Sequence, residues 1–123
     1  PKSYFDKGDP YQCYCQKTTR LIREQYKDIE IKTTFQSRFG PQEWLQPYTD
    51  KTLEALPGED KKNILVICPG FASDCVETLE EINIQGKESF LDNGGKNFDF
   101  IPCLNDNEDH IELFEALVKR YVI

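Results

Sequence analysis

Residues 63–82 read NILVICPGFASDCVETLEEI, and this stretch decides the predicted fold. It opens with an apolar run at 64–68, and residues 63–68 are predicted to form a strand that is buried on both faces. Pro69 and Gly70 then turn the chain, and a helical pattern begins near residue 74. A buried strand that passes through a turn into a helix is typical of a parallel sheet covered by helices.

The remaining segments continue this alternation of strands and helices. Residues 29–36 alternate apolar and polar side chains, which predicts a strand with one wetter face, and residues 98–102 predict a third strand. Helices are predicted at 10–26, 49–56, 74–92 and 107–121. The predicted fold class is α/β, with a parallel sheet that has helices on both faces. Because the series begins with a helix, we expect that a first strand is missing ahead of it.

The bulk properties limit the class of protein. A chain of 123 residues with an apolar fraction of 38% suits one soluble domain, predicted to span 1–123. No apolar run is long enough to cross a membrane as a helix. The net charge of −7 argues against a nucleic-acid partner. The five cysteines form no CxxC pair, so a reduced, cytoplasmic setting is expected.

Two glutamates in the predicted 74–92 helix are the strongest candidates for chemistry. Glu77 and Glu81 are four residues apart, so a helix would place both carboxylates on one face, and Gln85 would continue the row. Such a pair can bind a divalent cation, or accept protons where a pocket of low dielectric raises one pKa. The alternative is structural, because Asp74 and Glu77 have the spacing of a helix capping box. The pattern alone favours this structural alternative.

Each of the other candidates also has a structural alternative. Trp44 either anchors its loop on the core or stacks on a flat aromatic ligand, and the anchor is favoured. Arg38 either binds an anionic group or is a surface charge. His110, among acidic neighbours in the first turn of the last helix, is interpreted as a surface residue. Cys13 and Cys15 point in different directions on their helix, so they are poor joint metal ligands.

Four segments taken together resemble the ferrochelatase family, whose members insert ferrous iron into a porphyrin. The resemblance covers nearly the whole chain, and the segments occur in the family's order. They are GDPYQCYCQKTTRLI at 8–22, TFQSRFGPQEWLQPYT at 34–49, PGFASDCVETLEEI at 69–82 and IPCLNDNEDHI at 101–111. The resemblance implies a chelatase-like α/β fold.

The resemblance also implies a reaction and a role for particular residues. Glu77 would be the catalytic glutamate that faces the metal and the porphyrin centre, and Glu81 a second acid on the metal side. The family often has an acid where this chain has Gln85, which weakens a metal role for that position. The implied porphyrin-binding residues are Ser37, Arg38, Trp44, Phe71 and Asp74. The implied reaction inserts Fe²⁺ into protoporphyrin IX to form protohaem, the last step of haem biosynthesis. Fe²⁺ and the porphyrin would be substrates, with no permanently bound cofactor and no iron–sulfur cluster.

The resemblance further predicts a truncated protein. The family's essential histidine lies in an S-x-H-[GS]-[IL]-P sequence whose proline resembles Pro1, so the histidine is expected three residues before this numbering begins. The N-terminal half of the enzyme is then the missing partner, and the fragment alone is expected to be inactive. Apolar surface left without that half is expected to promote self-association. The expected location is the cytoplasm, with peripheral attachment to the inner membrane as an open alternative.

Two other functions remain open at this stage. One is a non-catalytic α/β module that binds a tetrapyrrole or a protein partner. The other is a chelatase that acts on a different metal or tetrapyrrole, although the segment around Trp44 speaks against a corrin-type ring. The sequence does not distinguish protoporphyrin from coproporphyrin as the substrate.

Overall fold

The structure, a computed structural model, describes residues 1–122. Residue 123, which the predicted domain includes, lies outside the described residues. The helices are α1 (Lys2–Asp6), α2 (Tyr11–Gln25), α3 (Thr49–Ala55), α4 (Val76–Leu79), α5 (Lys87–Asp92) and α6 (Glu108–Val118), and the strands are β1 (Asn63–Val66) and β2 (Asn97–Phe100). A 3₁₀ turn, Leu56–Glu59, follows α3, and a π-helical turn, Glu81–Gly86, lies between α4 and α5. No helix within residues 1–122 has both the length and the apolar character needed to cross a membrane.

The two strands pair in parallel, which confirms the predicted α/β class. Ile64 lies opposite Phe98, and Val66 lies opposite Phe100, so these four side chains share one face of the sheet. That face packs into the core, with α5 on β2 and α3 on α5. Helices therefore cover this face of the described sheet, as predicted.

The opposite face of the sheet is exposed in this chain. Leu65 on β1 is 62% exposed, and Ile67 just beyond the strand is 40% exposed. The expectation that the strand at 63–68 is buried on both faces is wrong for that reason. An apolar run indicates that a strand can be buried on both faces. Whether helices cover the second face depends on the rest of the fold.

The core lies where α3, the π-helical turn and α5 meet the sheet. Its buried apolar residues are Leu53, Cys68, Ile82, Phe90 and Phe98. Phe90 is fully buried, and its ring centroid lies 6.0 Å from that of Phe98 in a tilted arrangement. Burial of a side chain of this size stabilises the fold by roughly 1.5–3 kcal/mol. The helix between the strands is thereby fixed against β2.

The strand predicted at 29–36 does not form. Within this segment only Phe35 makes a bridge, to Tyr48 in parallel orientation. The Phe35 amide donates to the Pro47 carbonyl at 2.9 Å, and the Thr49 amide donates to the Phe35 carbonyl at 2.9 Å. The alternation of apolar and polar residues predicted a strand, but it carries no information on whether a partner strand lies alongside.

The predicted helices are otherwise confirmed within a few residues of their ends. The 10–26 helix is α2, the 49–56 helix is α3, and the 107–121 helix is α6. The predicted 74–92 helix is present but is interrupted, because one π-helical turn separates α4 from α5. The short α1 was not predicted.

Candidate active site

The carboxyl ends of β1 and β2 meet at one edge of the sheet, and the candidate site lies there. The Ile101 amide donates to the Val66 carbonyl at 2.9 Å, which continues the strand pairing past β2. Further along, the Asn105 amide donates to the Ala72 carbonyl at 3.1 Å. The loops after the two strands therefore lie side by side, at the edge where open α/β sheets bind their ligands.

Asp74 is held by a set of hydrogen bonds from both loops. Its amide donates to Asn105 Oδ1 at 2.8 Å, and Asn105 Nδ2 donates to Asp74 Oδ2 at 2.9 Å. Asp74 Oδ1 accepts from Thr78 Oγ1 at 2.9 Å and from the Cys103 amide at 3.3 Å. These bonds, that from Asn105 most strongly, hold the pKa of Asp74 below its usual range. The carboxylate is thus engaged within the protein.

Glu77 is the second residue of α4, and its side chain is exposed. Hydrogen bonds from the Cys75 thiol and from its own amide hold the pKa of Glu77 below its usual range. The capping box of α4 is made instead by Cys75 and Thr78, so the predicted Asp74–Glu77 box is wrong. The low-dielectric pocket that would raise this pKa is not formed around Glu77 by the described residues. In this chain the Glu77 carboxylate is therefore ionised at neutral pH, and an ionised carboxylate can bind a cation.

Glu81 begins the π-helical turn and is fixed by Ser37. The Ser37 amide donates to Glu81 Oε1 at 2.7 Å, and the Ser37 hydroxyl donates to Glu81 Oε2 at 2.6 Å. Ser37 has a φ of 65°, an uncommon conformation for a residue other than glycine. Strained residues of this kind are held in place by surrounding contacts and occur often at functional sites.

Gln36 ties the same loop to α4. Its Nε2 donates to the Glu77 carbonyl at 2.7 Å, and its Oε1 lies 3.5 Å from the thiol of Cys68 at the end of β1. The structure therefore brings Ser37, Glu77 and Glu81 into one region, as the sequence predicted. Gln36 was not predicted as a site residue, although its place directly before Ser37 in the sequence was a signal for it.

Gln85 lies in the π-helical turn that begins at Glu81. A π turn bonds residue i to i+5, and the Gln85 amide accordingly donates to the Glu80 carbonyl at 2.9 Å. The Gln85 side chain also reaches Glu80, with Nε2 3.4 Å from Oε1. The Gln85 side chain thus contacts Glu80, and its place in the row of Glu77 and Glu81 stays a prediction.

Comparison with known proteins shows the family of this chain. The family model described as Ferrochelatase matches residues 1–122. This chain belongs to the ferrochelatase family. Proteins named Ferrochelatase from Rhizobium meliloti (strain 1021) and Agrobacterium fabrum (strain C58) are each 58% identical over 122 residues, which cover 98% of this chain and 36% of the relative. A Ferrochelatase from Brucella ovis is 53% identical over 125 residues, covering 100% of this chain and 36% of its own length. The chain thus spans about a third of the length of these curated relatives.

Three of the residues that the ferrochelatase resemblance implies for the porphyrin have internal contacts. Arg38 pairs with the carboxylate of Asp50, and its guanidinium carbon lies 4.0 Å from the centroid of the Tyr48 ring. Phe71 is half-buried and packs against the core. Trp44 Nε1 donates to the Phe39 carbonyl at 3.0 Å. Each contact fixes the side chain, and none of them tests a role toward a porphyrin.

Trp44 lines a cavity that is separate from the glutamates. The cavity has a volume of about 310 Å³ and is lined by Lys2, Phe5, Gln12, Glu43, Trp44, Leu45 and Gln46. The Lys2 amide donates to the Glu43 carbonyl at 3.0 Å, so the loop that carries Trp44 is attached to α1. Glu77 and Glu81 do not belong to this cavity, and the structure groups Trp44 with α1 and α2 instead.

The thiols near the site are not arranged as metal ligands. Burial raises the pKa of Cys68 to about 11, and burial beside Asp74 raises the pKa of Cys103 to about 11. Both thiols are therefore protonated at neutral pH, and only a thiolate is a strong ligand. Within residues 1–122, no group of three or more histidine, cysteine, aspartate and glutamate side chains is placed to hold a metal ion. Glu77 and Glu81 remain the predicted metal-side acids.

His110 is buried, which corrects its interpretation as a surface residue. It is 7% exposed, and its Nδ1 lies 2.8 Å from the Asn105 carbonyl oxygen. Its ring lies against that of Phe114, with centroids 4.4 Å apart. Position in the first turn of α6 among acidic residues suggested exposure, but the ring faces back toward the loop after β2. Asn105 was likewise not predicted as a site residue, although it lies just beyond that strand.

Proposed function

We propose that this chain forms the Glu77-bearing part of an active site that inserts Fe²⁺ into protoporphyrin IX to form protohaem, the last step of haem biosynthesis. The observation that carries the proposal is the placement of Glu77 and Glu81 at the carboxyl edge of the parallel sheet, with Glu81 fixed by Ser37. The match to the ferrochelatase family over residues 1–122 supports it. Because the chain spans 36% of its relatives' length, other parts of such an enzyme would complete the site.

Iron has to be held loosely if it is to be passed into a porphyrin. Two carboxylates are fewer ligands than a structural metal site uses, and carboxylate oxygens bind divalent cations by charge. Glu77 is ionised and exposed, so it is available to an incoming ion. Glu81 keeps one orientation because both of its oxygens accept hydrogen bonds from Ser37. We infer that Glu81 receives the ion on the metal side and that Glu77 lies nearest the porphyrin centre.

Insertion also releases two protons from the porphyrin nitrogens. A carboxylate accepts them readily only when its pKa rises toward neutrality, which requires a dry, apolar surrounding. Glu77 has a lowered pKa and an exposed side chain in this chain, so porphyrin and further protein would have to cover it. We therefore propose that the chain alone is inactive and that proton transfer requires the covered site.

The remaining expectations belong to the same proposal. Porphyrin and Fe²⁺ are proposed as substrates, with Trp44, Ser37, Arg38 and Phe71 on the porphyrin side of the site. Asp74 was predicted there too, but both of its carboxylate oxygens are engaged within the protein. We propose no resident cofactor, no iron–sulfur cluster and no nucleic-acid partner. A cytoplasmic location, with peripheral attachment to the inner membrane as the alternative, is supported by the free state of the five cysteines. Visible absorption spectra of the purified protein test for a cluster, and cell fractionation tests the location.

Two exposed features of the chain favour a second function. The exposure of Glu77 and the open face of the sheet suit a module that binds a tetrapyrrole without catalysing insertion. This alternative predicts porphyrin binding with no metal insertion even in the full-length protein.

The test is an anaerobic insertion assay that follows the loss of protoporphyrin fluorescence with Fe²⁺, and with Zn²⁺ as a second metal. We expect turnover by the full-length protein and none by this chain alone. Porphyrin that binds the full-length protein but is never metallated would favour the binding module instead. Turnover by the chain alone would contradict the requirement for a covered site.

A further inference from the structure

The contacts of Asp74 point away from its predicted role as a porphyrin-binding residue. Its two carboxylate oxygens already accept hydrogen bonds from Asn105, Thr78 and Cys103. Its amide donates back to Asn105 Oδ1 at 2.8 Å, so the two residues are joined by a reciprocal pair of bonds. A carboxylate engaged in this way serves first to join two loops.

The pair lies at the start of the helix that carries Glu77. The Thr78 hydroxyl donates to Asp74, and the same oxygen accepts from the amide of Cys75, the residue that caps α4. Thr78 is fully buried and lies next to Glu77 in the chain. A shift of Asp74 would therefore move the first turn of α4, and Glu77 with it.

Asn105 is itself fixed from the other side. Its φ of 49° is left-handed, a conformation that asparagine tolerates better than most residues. Its carbonyl accepts from Nδ1 of the buried His110, and its amide donates to Ala72. The side-chain amide is thus presented to Asp74 in one orientation, with α6 as its support.

We propose that Asn105 is a positioning residue for Glu77, which it orients through its reciprocal hydrogen bonds with Asp74, and that Asp74 contributes through this pairing and not through its charge toward the substrate. The proposal rests on the proposed function, because it assigns Asn105 a part in the same site. It differs from a purely structural role, since the pairing sets the direction of one carboxylate at the site.

The test exchanges the two side chains in the full-length protein. Asn105→Asp alone places two carboxylates against each other, and Asp74→Asn alone places two amide groups against each other. The double variant, Asp74→Asn with Asn105→Asp, restores one amide facing one carboxylate with both bonds possible. Asn107→Asp is the matched control, because it makes the same change two residues away, where the side chain only caps α6 and aspartate caps equally well.

We expect each single variant to lower kcat for metal insertion by about tenfold or more, since small displacements of a catalytic group are costly, with the KM for porphyrin little changed. The double variant should recover to within about threefold of the wild-type kcat, as expected for two residues that act as a unit. Asn107→Asp should match the wild type. Thermal unfolding of each variant confirms that it is folded, and Asp74→Asn, which keeps the bonds from Thr78 and Cys103, is the milder single change.

Two results would overturn the inference. If the double variant is as slow as Asp74→Asn, the charge at position 74 acts directly. If the single variants lose thermal stability but keep the wild-type kcat, the pair is structural only. Failure of the wild-type full-length protein to insert metal would contradict the proposed function itself, so the two failures are distinguishable.

Discussion

Ser37 donates two hydrogen bonds to Glu81, one from its amide at 2.7 Å and one from its hydroxyl at 2.6 Å. The bonds join the loop that follows Phe35 to the first residue of the π-helical turn. Because each oxygen of the carboxylate has its own donor, Glu81 can neither rotate freely nor turn away from the edge of the sheet. The orientation of one metal-side acid therefore depends on a residue 44 positions away in the chain.

Replacement of Ser37 should weaken metal capture without abolishing insertion. Ser37→Ala removes the hydroxyl bond, and a bond to a charged group contributes roughly 1.5 kcal/mol, so we expect the KM for the metal to rise by up to about tenfold. Ser37→Gly is the companion variant, because glycine adopts the φ of 65° without strain and also lacks the hydroxyl. Equal metal KM values for wild type and both variants, from initial rates at varied metal concentration, would remove Glu81 from the path of the ion.

A methyl group at Gly95 should disturb the core. A Cβ there would lie 2.2 Å from the ring of the fully buried Phe90, so the ring would have to move. We expect Gly95→Ala to lower the free energy of unfolding by roughly 1–3 kcal/mol, measured by urea denaturation. Gly58→Ala is the control, because nothing lies within 4 Å of a Cβ at that position. Equal destabilisation by both changes would show that the contact with Phe90 is not the cause.

The stability of the protein should fall in acid through Asp74. Hydrogen bonds, that from Asn105 foremost, hold its folded-state pKa below the usual value, so the unfolded state binds a proton more readily than the folded state. The stabilisation is complete above the unfolded pKa of about 3.9 and is lost as the pH falls from there through the folded pKa. Urea unfolding at pH 7, 4 and 3 should show the difference between wild type and Asp74→Asn shrinking toward acid. A difference that does not change with pH would contradict this assignment.

The open face of the sheet should make the isolated chain self-associate. Leu65 is 62% exposed there, next to Ile67 and Ile101 at 40% and 43%. Sedimentation velocity over a dilution series should show a concentration-dependent species larger than the monomer, and Leu65→Lys should reduce it. Leu21→Lys is the control, since Leu21 is 49% exposed but lies on α2. A monomer at all concentrations, or an equal effect of both variants, would contradict the role of this face.

The sequence predicted which segments form helices and strands better than it predicted which segments lie beside each other in the fold. The helices α2, α3 and α6, and the parallel pairing of β1 with β2, follow from local patterns of apolar residues and turn residues. The strand predicted at 29–36 was wrong because alternation does not specify a partner strand. Phe35 finds one bridge partner in Tyr48, which no local pattern specifies.

The sequence predicted the acidic residues of the candidate site, but it did not predict the contacts that orient them. Glu77 and Glu81 stand out by spacing and by resemblance, whereas the roles of Asn105 and Gln36 arise from loops more than thirty residues away that fold against α4. The burial of His110 likewise depends on its contact with the Asn105 carbonyl, which forms only when the chain folds. The π-helical turn was missed because its sequence, which ends at Gly86, fits the periodicity of an uninterrupted helix, and that periodicity does not reveal a one-residue insertion.

The central claim is that the carboxylate of Glu77 acts at the porphyrin centre, and one comparison tests it most directly. In the full-length protein, Glu77→Gln keeps the shape of the side chain and removes its charge. The control, Glu80→Gln, makes the same change three residues later, at an exposed side chain that is hydrogen-bonded to Gln85. With porphyrin and Fe²⁺ under anaerobic conditions, we expect Glu77→Gln to slow insertion by about a hundredfold or more. Glu80→Gln should stay within about twofold of the wild type, as a surface change does. Wild-type turnover by Glu77→Gln would contradict the account.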